Sequence, residues 1–187
     1  MKRIVIGLVG ENGSGKDTVA DYLRKNHKAL SLRFADPLKE TLSIYFEKFS
    51  RQDQQWLALE FRKRFGNDIL SRALRKRIDE STGLIAVNGL RFWEDYHFVK
   101  SFAGSYVIYV TADQKIRHQR SSKRMEKTDD AVSLEKFQEL EKVETEINIP
   151  AIGAKADFKI VNEQDLNYLL SETDRIIAEI RKKEKFA

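Results

Sequence analysis

The stretch Val5-Ile6-Gly7-Leu8-Val9-Gly10-Glu11-Asn12-Gly13-Ser14-Gly15-Lys16-Asp17-Thr18-Val19-Ala20 decides how this chain folds. Its β-branched and aliphatic run reads as a buried strand that Gly10 ends. Gly13, Ser14 and Gly15 then give a loop able to take positive φ and to bring backbone amides close to an anion. A helix starting at Lys16 points its first amides, and the positive end of its dipole, back into that loop. Gly10, Gly15 and Lys16 satisfy the G-x-x-x-x-G-K spacing of a phosphate-binding loop, in the strand–loop–helix context the motif requires. A plain glycine-rich turn would account for the glycines, but not for the lysine and both flanking elements together. The stretch is read as a cradle for a nucleoside triphosphate.

Outward from the loop, strands alternate with helices. Residues 2–9 read as the first strand and 16–26 as the first helix, with a second strand at 29–34 closed by Asp36-Pro37. Pro37 suits the first turn of a helix, where its missing N–H would be unpaired anyway. That helix runs through Leu38, Leu42, Tyr45 and Phe49, and amphipathic helices follow at 53–65 and 68–79. Leu84 to Val87 is a third strand closed by Asn88-Gly89, 92–102 a helix, and Tyr106 to Thr111 a fourth strand. A helix from Asp113 carries Arg117, Arg120 and Arg124. Polar residues 124–133 suggest a mobile segment, helix resumes over 134–146, and Pro150 to Ala154 connects to a fifth strand at 157–161 and a closing helix over 164–183.

This alternation predicts an α/β fold of three layers, with a five-stranded parallel sheet covered by helices on both faces. One domain over residues 1–187 is expected, with a core at 1–36, 84–122 and 156–187. A helical insertion occupies about 37–83, and a lid with its following helix about 123–150. In such sheets ligands sit beyond the carboxyl ends of the strands. That rule gathers the loop, Asp36, Asn88, Arg91 and the segment after strand four at one edge.

At 187 residues the chain is long enough for a normal core, and 34% charged against 41% hydrophobic residues describes a soluble, helix-rich protein. No apolar run reaches the length of a membrane span, and the chain enters a strand at once without a secretory signal. The absence of cysteine excludes disulfides and cysteine-held zinc. A cytoplasmic protein, monomer or homodimer, is expected. The net charge of +5 invites a test for nucleic acid. The basic clusters at 62–64, 72–77 and 117–127 lie on predicted helices among acids, with no aromatic stripe between them, which argues against that partner.

The residue after Lys16 narrows the class. GTPases and motor ATPases place Ser or Thr there for Mg²⁺; here it is Asp17, with the hydroxyl one residue later at Thr18. No Asn-Lys-x-Asp guanine reader occurs, and strand three ends in Asn88 where a motor needs an acid. The Gly-Lys-x-Thr pattern resembles the nucleoside monophosphate kinases. Gly10 to Thr18 followed by Phe34-Ala35-Asp36-Pro37-Leu38-Lys39-Glu40 is similar to deoxynucleoside monophosphate kinases of the phage type. Asn88-Gly89-Leu90-Arg91 resembles the Asp-Gly-x-Arg of adenylate-kinase-like and dephospho-CoA-kinase-like proteins. Arg120 and Arg124 resemble the arginine pair that opens the lid of adenylate kinases, and Asp129-Asp130 the acidic pair that closes it. Ala156-Asp157 and Asn162 also recur in that group. Three departures stand out: Asn88 replaces an Asp, Lys127 replaces a lid Arg, and residues 134–146 offer Lys136 and Lys142 but no arginine.

The resemblance implies an ATP- and Mg²⁺-dependent kinase of a small phosphorylated acceptor, foremost a deoxynucleoside monophosphate. Dephospho-CoA is a second acceptor to test, and a nucleotide-binding regulatory or RNA-associated module without turnover is the rival class. By that resemblance Asn12, Gly13, Ser14, Gly15, Lys16, Asp17 and Thr18 hold ATP. Thr18, and Asp17 through water, hold Mg²⁺, although Asp17 also fits an exposed acid favoured by the helix dipole. Asp36 meets the acceptor or simply caps a helix. Arg91 clamps the acceptor phosphate or makes a surface ion pair. Arg120 stacks on adenine and Arg124 meets the transferring group; alternatively they share a solvated basic face with Arg117. Arg72, Arg75 and Arg77 are further candidates for one acceptor cation. Phe92, Trp93 and Tyr96 suit the core better than a base stack.

Overall fold

The computed structural model describes residues 3–66, 68–124, 132–144 and 146–186. Five strands, β1 (Ile4–Val9), β2 (Leu30–Arg33), β3 (Leu84–Leu90), β4 (Ser105–Thr111) and β5 (Phe158–Val161), form one sheet in the order β2-β3-β1-β4-β5. Every pairing is parallel. The helices are α1 (Lys16–Asn26), α2 (Asp36–Tyr45), α3 (Arg51–Phe65), α4 (Ile69–Asp79), α5 (Trp93–Lys100), α6 (Gln114–Arg124), α7 (Leu134–Leu140), α8 (Ile149–Gly153) and α9 (Leu166–Phe186).

Because β1 is central, alternate side chains on it serve two separate cores. Val5 and Val9 face Leu74 and Ile78 of α4, Phe98 and Val99 of α5, and Ile149 and Ile152 of α8. Ile6 and Leu8 face Val19, Ala20 and Leu23 of α1 and Leu169, Ile176, Ile177 and Ile180 of α9. The result is the three-layer parallel arrangement that the sequence predicts, and burial on both faces explains the nearly unbroken apolar run of β1. Helices α2, α3 and α4 add a smaller core of Leu38, Leu42, Leu57 and Leu70, with Phe34, Phe49 and Phe61 packed against it.

Several boundaries move. Helix α2 stops at Tyr45 instead of continuing to Phe49, because Phe46 takes an extended backbone with φ −133° and ψ 132°. Most of the Pro150–Ala154 connector is taken up by the short helix α8 (Ile149–Gly153). Strand β3 does not close at Asn88-Gly89 but runs through it to Leu90. Leu8 pairs with Asn88 while Val9 pairs with Leu90, so one extra residue bulges out at Gly89, whose φ of 89° only glycine takes freely. This bulge sets where Arg91 leaves the sheet.

No helix among the described residues is long and apolar enough to cross a membrane.

Gly7 tests how closely α5 sits on β1. A Cβ there would stand 3.0 Å from Leu90 and 3.1 Å from Val99. Gly7→Ala is expected to cost about 1–3 kcal/mol, read from the urea midpoint; an unchanged midpoint would mean that α5 has slack to give.

Candidate active site

The loop after β1 is shaped by what it passes. A Cβ on Gly10 would lie 2.3 Å from the Val110 carbonyl oxygen of β4, so only glycine fits there. Gly13 and Gly15 take φ of 77° and 100°. Gly15 is the N-cap of α1 and makes no side-chain cap bond. The N-cap residue therefore covers none of the first turn's orphan amides, which suits an anion site.

Neighbouring elements grip the loop. The Tyr109 hydroxyl donates to Glu11. Burial first, and this bond second, push the Tyr109 phenol up to about 12. Arg117 is buried on α6; its Nε donates to the Ala112 carbonyl at 2.9 Å and its Nη1 to the Asn12 carbonyl at 3.3 Å. Glu141 pairs with the same guanidinium, and the Phe137 ring lies 5.8 Å from it. The buried Asn162 donates from Nδ2 to the Ser14 carbonyl at 2.8 Å. Arg120 in turn holds the carbonyls of Asn162 and Gln164 at 2.7 and 3.2 Å.

Lys16 and Asp17 open α1, with Lys16 Nζ 3.5 Å from Asp17. Asn88, two residues before the end of β3, donates to Asp17 at 2.7 Å, and Arg33, at the end of β2, lies 4.0 Å away. Asp17 is therefore tied to a neighbouring strand, while its side chain stays 41% exposed on the first turn of α1. The Asn88 Oδ1 is buried without a partner among the described residues. Thr18 is exposed on the first turn of α1.

Asp36 is not an N-cap: Ala35 holds that position, and Asp36 begins the helix proper. Its carboxylate accepts from the Arg33 N–H at 2.7 Å and so folds the β2–α2 connection. Arg91 follows β3 and pairs with Glu146, N to O at 2.5 Å. Asp95 of α5 accepts from the Arg91 and Phe92 N–H groups at 3.0 and 3.1 Å, holding the turn that presents Arg91.

The β2 and β3 ends thus bring Lys16, Asp17, Asn88, Arg33 and Asp36 to one edge, with Arg91 on the α5 side and Arg120 on the β5 side. Arg124 is the last residue of α6, and its side chain lies outside the described residues. So do Lys127, Asp129 and Asp130. Arg117 does not belong to a solvated face. Arg72 pairs with Asp68, Arg75 lies over Phe98 and Phe102, and Arg77 pairs with Glu40. Trp93 and Tyr96 pack against the core, as the aromatic spacing suggests. Sequence reasoning missed Arg33, Glu11–Tyr109, Glu141 and Glu146. Only the position of Arg33 just before Asp36 gave any signal.

Solved structures share this architecture. The crystal structure of TT1252 from Thermus thermophilus superposes with a TM-score of 0.67 at 18% identity, covering 96% of this chain and 98% of that one. Shikimate kinase from Acinetobacter baumannii, solved with shikimate, gives 0.61 at 17% identity, covering 97% and 94%. At this identity the likeness is one of fold. The G-x-x-x-x-G-K loop after the central strand, together with a family match, places the chain in the P-loop kinase class. The sequence pattern of deoxynucleotide monophosphate kinase matches residues 4–181, and the chain belongs to that family. The UPF0200 protein of Thermoplasma volcanium is 30% identical over 179 residues, 92% of this chain and 96% of its own length. The UPF0200 protein of Sulfurisphaera tokodaii is 26% identical over 177 residues, 94% and 97% of the two chains.

Burial lifts the Asp95 carboxyl above the ordinary aspartate range, although its two N–H bonds pull the other way. A raised folded-state value gives support that is complete below the unfolded pKa, about 3.9, and fades as pH rises through the folded one. Asp95→Asn keeps an acceptor oxygen and removes that ionisation. Its urea midpoint is expected to gain on the native chain as pH climbs through the window just above the ordinary aspartate value. A pH-independent difference would contradict the buried-charge account.

Proposed function

We propose that this protein transfers the γ-phosphoryl group of ATP, with Mg²⁺, to a small phosphorylated acceptor, a deoxynucleoside monophosphate foremost. The observation that carries the reading is a matter of register. Val9 pairs with Leu90, so the phosphate loop and Arg91 leave adjacent strands at the same level. A donor phosphate on the loop and an acceptor phosphate on Arg91 then face each other across one edge. Family membership supports the same assignment.

Two anions must meet, and little covalent chemistry falls to the protein, so its task is to neutralise, align and exclude water. Lys16 would exchange Asp17 for the β- and γ-oxygens, while the amides from Gly13 to Thr18, other than that of Ser14, would cradle them. Arg91 would exchange Glu146 for the acceptor phosphate, a pairing its planar fork favours. Asp36, beside the acceptor, would accept from its sugar. Arg120 would flank the adenine, supported by its bonds to the β5–α9 connection. Arg124 would approach the transferring group from the lid.

The oxygens of Asp17, Thr18 and Asn88 suit a hard cation, and the unpartnered Asn88 Oδ1 is an acceptor in want of a donor or ion. They would hold Mg²⁺, directly or through water, and the ion would neutralise charge on the β- and γ-phosphates.

Radiolabelled ATP offered with ribo- and deoxynucleoside monophosphates and dephospho-CoA is expected to label the deoxynucleotides. Labelling of dephospho-CoA alone would move the acceptor class, and no labelling despite ATP binding would sink the kinase reading. Lys16→Met should lower kcat/KM by about a hundredfold or more. Glu146→Gln should lower the acceptor KM and Arg91→Met should raise it, each with the ATP KM little changed; identical acceptor KM values in all three proteins would remove Arg91 from the acceptor site.

A further inference from the structure

A phosphate cradle works only if its peptide units present N–H groups inward and turn their carbonyl oxygens away, since an inward carbonyl repels the anion. We infer that Arg117 and Asn162 are positioning residues that set this polarity for two peptide units of the loop. The inference rests on reading the loop as a triphosphate site and adds how its amides are aimed.

A peptide unit is planar and trans, so the C=O of one residue and the N–H of the next point in opposite directions. Arg117 Nη1 holds the Asn12 carbonyl from outside the loop at 3.3 Å, which turns the Gly13 N–H the other way. Asn162 Nδ2 holds the Ser14 carbonyl at 2.8 Å and does the same for the Gly15 N–H. Between them, the Ser14 N–H is spent on the loop's own turn, donating to the Glu11 carbonyl at 3.2 Å. Neither the Gly13 nor the Gly15 N–H meets an acceptor among the described residues.

Both glycines are seated on the residues that orient them. A Cβ on Gly13 would stand 2.3 Å from the Arg117 carbonyl oxygen, and one on Gly15 would stand 2.5 Å from Asn162 Nδ2. The two positioning side chains are themselves locked. Arg117 is 6% exposed and tied to Ala112 and Glu141. Asn162 is 5% exposed, its N–H donates to Thr111 at 2.7 Å, and its carbonyl accepts from Arg120. Helix α6 and the end of β5 thus hold the loop by its carbonyls. Burial of a guanidinium and an amide with these partners serves an orientation, since a buried ion pair is by itself weak evidence of stabilisation.

The test uses the whole chain, labelled with ¹⁵N and titrated with inorganic tripolyphosphate, which has no base or sugar to contribute. In the native protein the Gly13 and Gly15 amide resonances are expected to move downfield on binding. Asn162→Leu should lose the Gly15 response and keep that of Gly13; Arg117→Met should do the reverse. Each should weaken tripolyphosphate binding by about tenfold. Arg117→Lys keeps the charge but cannot span the Asn12, Ala112 and Glu141 contacts, so it should resemble Arg117→Met rather than the native chain. A purely structural role would abolish both amide responses or neither. Native binding with unmoved Gly13 and Gly15 amides, or variants that bind within twofold of native, would overturn the inference while leaving the triphosphate reading intact. Failure of the native chain to bind tripolyphosphate or ATP would overturn both. Where a variant does not fold, the native amide response decides.

Discussion

Gly10 must pass so close to Val110 that a side chain on it would stand 2.3 Å from a backbone oxygen. That passage carries the chain from a strand buried on both sides into the glycine loop. Everything around it is arranged to let a backbone run there without a side chain of its own. Bulky residues of β4 and α6 close in, Tyr109 and Arg117 among them, and bond to loop groups that would otherwise be left unsatisfied. The loop's shape is therefore imposed from outside. Its glycines permit the conformation, and the neighbouring strands and α6 select it.

A second pattern runs through the cations at this edge. Lys16 lies beside Asp17, Arg91 beside Glu146, and Arg117 beside Glu141. The first two pairs are partly exposed, so water screens them and each is worth little. The Arg117 guanidinium is buried and further bonded to two carbonyls, which makes it a fixture. The same kind of ion pair is thus loosely held in one place and part of the scaffold in another, and the burial of its cation decides which.

The sheet, its order of layers and the loop could be read from local pattern because the causes are local. Apolar runs, glycine spacing and a lysine at a helix start act within one or two turns of chain. The edges of elements were less legible. Phe49 kept a helical apolar period with Leu38 and Leu42, yet α2 ends earlier because Phe49 reaches the small α2–α4 core from beyond the helix end. Asn88-Gly89 carries a turn signature, yet there Gly89 takes up a bulge inside a strand that β1 holds on one side and β2 on the other. In both cases tertiary packing overrode a correct local preference.

The site divides in the same way. Sequence alone determined that a phosphate loop with Lys16 exists, that Asp36 and Arg91 follow strand ends beside it, and that Thr18 rather than residue 17 carries the hydroxyl. Only the tertiary structure decided that Arg117 belongs to the loop and not to a solvated face, and that Glu146 rather than solvent occupies Arg91. It also decided that Asn162 and Arg33 stand at the same edge. The physical reason is separation along the chain. Arg117 and Asn12 are 105 residues apart, and Asn162 and Ser14 are 148. A contact closed over such distances leaves no periodicity or spacing behind; it exists only once the parallel sheet has brought the strand ends together.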